Sequence, residues 1–389
     1  MATVPHDLQT MIAELVAEPT ISSIDPAWDY GNRGIIERLA EWLRPLGFDC
    51  RIEPLPSAPH KANLVATLPA GLAPSHGGLA LSGHTDTVPF NAARWSSDPF
   101  RIREQNGRLY GLGITDMKAF LALAVEAARG LDPKRLRAPL TMLFTADEES
   151  GMDGIRALVE AYPEGLGPKY AVVGEPTRNQ PVHMHKGMMM EAIHSQGRSG
   201  HSSDPTLGRN ALDTMARVLD TLIAWRQELT ERHRDPRFSI PYPTLNLGYI
   251  RGGDSPNRIC AEAELHFDLR PLPGMTPNAL QRELDQRLQQ ALGDEATYLT
   301  RRSLFPPHPP MATPRHAELV RVGERLTGAT AGAVAFATEA PYLAQLGMET
   351  MVLGPGEIEQ AHQPDESIAI DRLPPTVTLL REMIHHFCL

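Results

Sequence analysis

The chain has 389 residues, enough for two or three domains with substantial cores, which excludes a lone small module. Proline makes up about 9% of it, nearly twice the usual ~5%, yet proline and glycine together reach only about 17%, below the roughly 25 to 30% of low-complexity chains. The 37 basic and 47 acidic residues give a net charge of −10 with no basic block, which argues against a nucleic-acid partner, since phosphate backbones are bound by clustered Lys and Arg.

The first residues, MATVPHDLQTMIAELVAEP, have neither a cationic start nor an apolar run free of acids, so no secretory signal is expected. Apolar residues recur at helical spacing as Ile12, Leu15 and Val16, then as Ile35, Ile36, Leu39, Trp42 and Leu43, predicting two surface helices before Gly47. The longest stretch without Asp, Glu, Lys or Arg, Ala62 to Thr85, is broken by Pro69 and Pro74, so no membrane-spanning helix is expected. Short apolar runs at 63–68, 78–82, 139–145 and 169–173 alternate with helical patterns at 117–130 and 154–161. That alternation predicts an α/β fold whose sheet is mixed and largely parallel, flanked by helices. After Pro181 the pattern changes. A GRSGHSSDPTLGRNA segment precedes a long helix through Trp225, followed by strand-like runs at 244–250 and 259–269 and a helix at 277–292. This order predicts a smaller α+β insert, ended by the proline-rich joint SLFPPHPPMATP at 303–314. The rest returns to α/β character, with an apolar run at 350–354. The expected organisation is one discontinuous domain, 1–181 and 304–389, interrupted by an inserted domain at 182–303. Three isolated cysteines, Cys50, Cys260 and Cys388, without a CxxC spacing suit a reducing, cytoplasmic compartment.

The chemistry concentrates after the predicted strands. SGHTDT places His84 and Asp86 two apart, on one face of an extended chain; a metal-bound imidazole commonly has a carboxylate behind it, though a polar strand end accounts for the pair alone equally well. Asp116, in YGLGITDMKAF, reads by itself as a helix N-cap. Asp147, Glu148 and Glu149 stand side by side in ADEESG. Their mutual repulsion calls either for solvent or for a compensating cation, and the apolar strand just upstream favours the cation. Glu175 in GEP and His362 in GPGEIEQAHQPDE complete the set. Each is weak alone, but all follow the carboxyl ends of predicted strands, where open α/β sheets assemble their sites. Two histidines and three carboxylates without a thiolate suit a two-metal site for zinc or cobalt, and a further carboxylate that binds no metal is positioned to act as a base.

These motifs resemble the co-catalytic zinc metallohydrolases, the family of acetylornithine deacetylase, succinyl-diaminopimelate desuccinylase, aminoacylases and related carboxypeptidases. SGHTDTVP, the Gly-x-Gly-x-x-Asp-Met-Lys run, DEESG, GEPT and a late His follow in order along nearly the whole chain. The longer strings QPVHMHKG, GRSGHSSDP, GGDSPNRIC, FDLRPLPG, ATEAPY and the closing HHFC are most similar to the acetylornithine deacetylase branch. The resemblance implies that His84, Asp116 and Glu175 hold one divalent ion and Asp116, Glu149 and His362 the other, Asp116 bridging. It implies that Asp86 orients His84, that Glu148 activates a metal-bridged water and then protonates the departing amine, and that His201 stabilises the oxyanion. It gives Asn257, Arg270 and Thr338 a substrate-positioning role, with Arg258 a lesser candidate for the substrate carboxylate. It also implies that the insert acts as a lid and dimerisation domain, with His201 reaching the partner subunit of a homodimer.

Leu112 and Ala119 depart from the family's usual Arg and Gly beside Asp116, with no ligand lost. The expected activity is removal of acetate from N2-acetyl-L-ornithine, a small-molecule N-acetyl amino acid, in arginine biosynthesis. The alternatives are the same chemistry on acetylcitrulline, succinyl-diaminopimelate or a dipeptide, and a metal-binding scaffold without catalysis. His183, His185, His194 and Met188–Met190 read as strand residues of the insert, Trp225 as helix packing, and His308, His385 and His386 as structural or solvated.

Overall fold

The computed structural model describes residues 7–72 and 77–389; residues 1–6, where a signal would begin, and Pro74 lie outside them. The chain divides into two compact units, one of residues 1–183, 313–332 and 338–389, the other of 184–312 and 333–337.

The first unit is built on a mixed sheet. Its centre is four parallel strands in the order Leu140–Thr145, Leu79–His84, Tyr170–Val173, Glu349–Val352. Antiparallel strands extend it on the outer side of Leu140–Thr145, first Ala58–Leu68 and then Asp49–Leu55. All six residues of Leu79–His84 and of Leu140–Thr145 are buried, as expected of strands covered on both faces. The helix Ala119–Ala128, AFLALAVEAA, is apolar nearly all round and buries nine of its ten residues. It lies between the helices Leu8–Ala17 and Leu373–Cys388, so it has no solvent face to keep polar. The two predicted N-terminal helices form as Leu8–Ala17 and Arg33–Leu43, and the predicted apolar stripes are their buried faces. The first is capped by Asp7, whose carboxylate accepts the Thr10 N–H at 3.0 Å. The close packing at the strand ends is set by glycine: a Cβ on Gly174 would stand 2.0 Å from the Phe120 ring.

The second unit is a four-stranded antiparallel sheet in the order Thr244–Gly252, Glu262–Arg270, Met189–Gln196, Leu299–Ser303. The helices Ala211–Arg232 and Pro277–Leu292 supply Val218, Leu222, Trp225, Leu284 and Leu288 to its core, against Leu265, Phe267 and Leu269. Trp225 is the packing residue expected, with its indole N–H donating to Glu283 at 3.1 Å.

The proline-rich segment is not the plain return joint that its composition predicts. His308 and Met188 exchange backbone hydrogen bonds of 2.8 and 2.9 Å, and Met311 and Ala312 pair with His185 and Met184. Within Pro306–Pro310 only His308 carries a backbone N–H, and that N–H is the one used. The compact unit therefore runs to Ala312, not to 303.

Candidate metal centre

The five expected ligands all belong to the first unit, and each follows a sheet strand or a loop beside one. His84 ends the strand Leu79–His84; Glu148 and Glu149 lie beyond Leu140–Thr145; Glu175 follows Tyr170–Val173; His362 lies ten residues after Val352. Because three of these strands are parallel neighbours, their carboxyl ends open on one edge of the sheet.

Asp116 is not the helix cap that its position suggests. It has non-helical backbone angles in the turn Ile114–Lys118, and Lys118 is the residue before the helix Ala119–Ala128. Its two carboxylate oxygens are divided between the histidines: Oδ1 is 3.1 Å from His84 Nε2 and Oδ2 is 3.4 Å from His362 Nε2. His362 Nε2 also lies 3.0 Å from Glu149, and His84 Nε2 lies 3.9 Å from Glu175. Bond lengths of about 2.0 to 2.1 Å to a tetrahedral zinc would set neighbouring ligand atoms about 3.3 Å apart. The donors thus stand at the spacing of a coordination shell, and two overlapping groups, His84 with Asp116 and Glu149 and His84 with Glu148 and Glu175, each offer atoms within 4.8 Å of one another. Nitrogen and carboxylate donors without sulfur suit zinc or cobalt.

Buried charges gathered in this way shift one another. Burial pushes the Glu175 carboxyl well above its usual range, and Asp116 and Glu148 beside it add to the rise. Glu148 is raised in the same way, first by burial and then by Glu149, Glu339 and Asp116 against the pull of His84. Burial pushes Asp86 up to about 6 and Glu339 up to about 7. Burial alone would raise Asp116 too, but the hydrogen bonds of His362 and His84 hold it below the ordinary carboxylate range. Its hydrogen bonds to Asp116 and then to Glu149 lift His362 to about 11, and His84 is held well above the usual imidazole value despite its burial.

Asp86 acts differently from the simple expectation. Its carboxylate Oδ1 is 3.7 Å from His84 Nδ1, beyond hydrogen-bond reach, and the ring contact at 3.1 Å is to its backbone carbonyl. The carboxylate instead accepts the N–H groups of Glu148 and Glu149 at 3.2 and 3.0 Å. It fixes the backbone that carries the expected base and one ligand.

Three supporting groups had no local signal. Lys61, buried in the strand Ala58–Leu68, donates to both Asp29 and Asp147 at 2.6 Å, and Ser22 adds a hydrogen bond to Asp147 at 2.8 Å. The first acid of the DEES run is therefore an anchor. Glu339 accepts from Thr145 Oγ1 at 2.9 Å, next to Thr338, whose hydroxyl accepts the Ala340 N–H at 3.1 Å. Glu366 accepts the N–H groups of Gly113, Thr115 and Asp116 at 2.7, 2.7 and 3.1 Å. Only its spacing of four from His362 could have drawn attention to it.

The remaining expected residues belong to the second unit. His201 is exposed, with Nδ1 2.7 Å from Ser203 Oγ. Its backbone bridges to Arg258, and Ser202 N–H donates to the Asn257 carbonyl at 3.1 Å. His201, Asn257 and Arg258 are thus one loop cluster; Arg258 is engaged with Asp254 at 2.6 Å. Arg270 is elsewhere, at the far end of the strand Glu262–Arg270, bonded to Asp268 at 2.8 Å.

Residues 80–386 match the family described as Peptidase family M20/M25/M40. The chain is 48% identical over 374 residues to an acetylornithine deacetylase of Edwardsiella ictaluri, covering 96% of each. Among solved structures it is similar to an M20 metallo-carboxypeptidase of Sulfolobus solfataricus, with a TM-score of 0.77, 18% identity and 98% and 99% coverage of the two chains. It is also similar to the aminopeptidase PepT of Bacillus cereus, at a TM-score of 0.74, 20% identity and 97% coverage of each, a likeness of fold.

Proposed function

The chain belongs to peptidase family M20/M25/M40, and from that membership we propose that it is an amidohydrolase that releases acetate and L-ornithine from N2-acetyl-L-ornithine in arginine biosynthesis, in the cytoplasm. The observation that carries the chemistry is the division of the two Asp116 oxygens between His84 and His362, at 3.1 and 3.4 Å. It supports two divalent ions, Zn2+ or Co2+, held by His84, Asp116 and Glu175 and by Asp116, Glu149 and His362. When bound, such ions polarise the acetyl carbonyl and lower the pKa of water.

Glu148 binds no ion in this reading. Its carboxylate takes a proton from the attacking water as the new C–O bond forms, and delivers it to the amine nitrogen as the C–N bond breaks, so the residue ends unchanged. The burial and acid neighbours that raise Glu148 suit a group that must both accept and return a proton near neutral pH. Asp86 keeps the Glu148 and Glu149 backbone in place. His201 donates to the acetyl oxygen as charge develops on it, and Thr338, Asn257 and Arg270 position the substrate, with Arg258 a further carboxylate ligand.

The second unit serves as lid and dimerisation domain in this reading. Support for a homodimer comes from the strand Glu262–Arg270: eight residue steps at about 3.4 Å span about 27 Å, with Arg270 at one end and the His201–Asn257 cluster leading into the other. That exceeds the length of one acetylated amino acid, so the two groups serve different copies of the site. Mixing two inactive variants, E148A and H201A, is expected to restore activity through hybrid dimers; mixtures as inactive as their parents reject the exchange.

The substrate is tested with a side-by-side panel of acetylornithine, acetylcitrulline, succinyl-diaminopimelate and a dipeptide on zinc- or cobalt-loaded protein. The highest kcat/KM is expected for acetylornithine, and a higher value for any other compound rejects the substrate assignment while keeping the chemistry.

A further inference from the structure

The loop that presents Asp116 is held by a single buried carboxylate. Glu366 is 2% exposed and accepts three successive-loop N–H groups, from Gly113, Thr115 and Asp116, at 2.7, 2.7 and 3.1 Å. A carboxyl group offers about four lone-pair positions on two oxygens, so three donors nearly saturate it. The same two segments are tied again by Thr115 Oγ1 donating to the Ser367 carbonyl at 2.9 Å and by Gly111 N–H donating to the Glu366 carbonyl at 3.0 Å. Ser367–Ala369 also pairs as a strand with Arg108–Tyr110. Gly113 has φ +73 and no room for a Cβ, which would stand 2.3 Å from Thr87, so no larger residue fits at this turn.

Glu366 follows His362 by four residues, and His362 Nε2 is 3.4 Å from Asp116 Oδ2. One end of the 362–366 segment therefore supplies a ligand and the other grips the backbone of the ligand shared by both ions. We propose that Glu366 is a positioning residue that sets the distance between Asp116 and His362, and so the geometry of the two-ion site, without itself touching an ion. This rests on the dinuclear reading above.

The test uses the full-length protein stripped of metal and titrated with zinc or cobalt(II), beside E366A and E366Q. In wild type two equivalents are expected to bind. In E366A the weaker of the two constants is expected to fall about 10- to 100-fold, the usual loss when a residue behind a ligand is removed. The cobalt(II) absorption bands should change shape, and kcat should fall with KM little altered. Glutamine keeps one acceptor oxygen for Thr115 and Asp116 but turns an NH2 group toward the Gly113 N–H, so E366Q should lie between E366A and wild type. Two equivalents at wild-type affinity in a folded E366A, with unchanged bands, overturn the proposal alone. Should E366A fail to fold, wild-type constants and bands in E366Q overturn it equally. Fewer than two equivalents in wild type overturn the dinuclear reading and this one with it.

Discussion

The two units use charge in opposite ways. In the first, acids are buried together around His84: Asp86, Asp116, Asp147, Glu175, Glu339 and Glu366 are all at most 6% exposed, and hydrogen bonds fix nearly every one, while His362 reaches them from an exposed loop. In the second, a Leu and Phe core carries the packing; one buried acid, Glu191, is paired with Arg301, and other ion pairs lie at the surface, as with Arg258–Asp254, where both side chains are more than half exposed. The lesson is that the same residue types mark a site in one unit and a solvated surface in the other, and burial decides which. Desolvation makes a buried charge costly until a partner compensates it, while an exposed pair is screened and contributes little.

That contrast is open to attack first at Glu148. Replacing it with Ala should lower kcat by about 10² to 10⁴, the usual value of general acid/base help, while metal analysis still finds both ions; unaltered turnover would remove Glu148 from the mechanism. Next, Lys61→Ala should cost about 3 to 5 kcal/mol in chemical denaturation, since it leaves the buried Asp147 and the half-buried Asp29 without their cation. Finally, Asp254→Ala, which breaks the exposed pair of the second unit, should change stability by less than about 1 kcal/mol. Comparable losses for Lys61 and Asp254 would mean that burial does not separate the two kinds of ion pair.

A pH series sharpens it. His362 is raised to about 11 from 6.5, Glu366 to about 8 from 4.5 and Glu339 to about 7 from 4.5. A group raised on folding contributes its stability fully below its unfolded pKa and loses it as pH climbs through the folded one. The chelated protein should therefore show a falling Tm between pH 6 and 9. Metal uptake must displace the histidine protons, so zinc affinity should rise over that range, with proton release visible by titration calorimetry in two buffers. A chelated protein that gains stability from pH 6 to 9 contradicts the assigned directions.

Most of the ligands were legible because they stand in polar clusters that follow apolar runs of four to six residues, a pattern that survives in the linear chain. His84, Glu149 and Glu175 could be found that way, and His362 in the loop that follows the run at 350–354. Glu366 and Lys61 could not: their partners lie 250 to 253 and 86 residues away, and nothing local distinguishes them from a solvated Glu or Lys. Asp116 was placed in the site only through company, since its own surroundings read as a helix cap. The strand Asp49–Leu55 was also missed, because an edge strand with mixed exposure, carrying Asp49, Arg51, Glu53 and Pro54, has no apolar run to announce it. In the second unit the helix Pro277–Leu292 was legible to its ends. The proline segment misled because its composition suggests a linker, while the single N–H at His308 is enough to join it to Met188.

The separation between Glu149 and His362 is 213 residues, and this has a consequence for the newborn chain. At about 5 to 20 residues per second of synthesis, Glu149 waits roughly 10 to 40 s before its histidine exists. During that interval the strands of the early segment can already pair, but their acidic carboxyl ends lack both the late imidazole and the Glu366 grip on the Asp116 loop. An unfinished chain therefore carries a cluster of mutually repelling carboxylates that only the last tenth of the polypeptide can compose, and the ribosome's progress sets the earliest moment at which a complete pair of ions can be loaded.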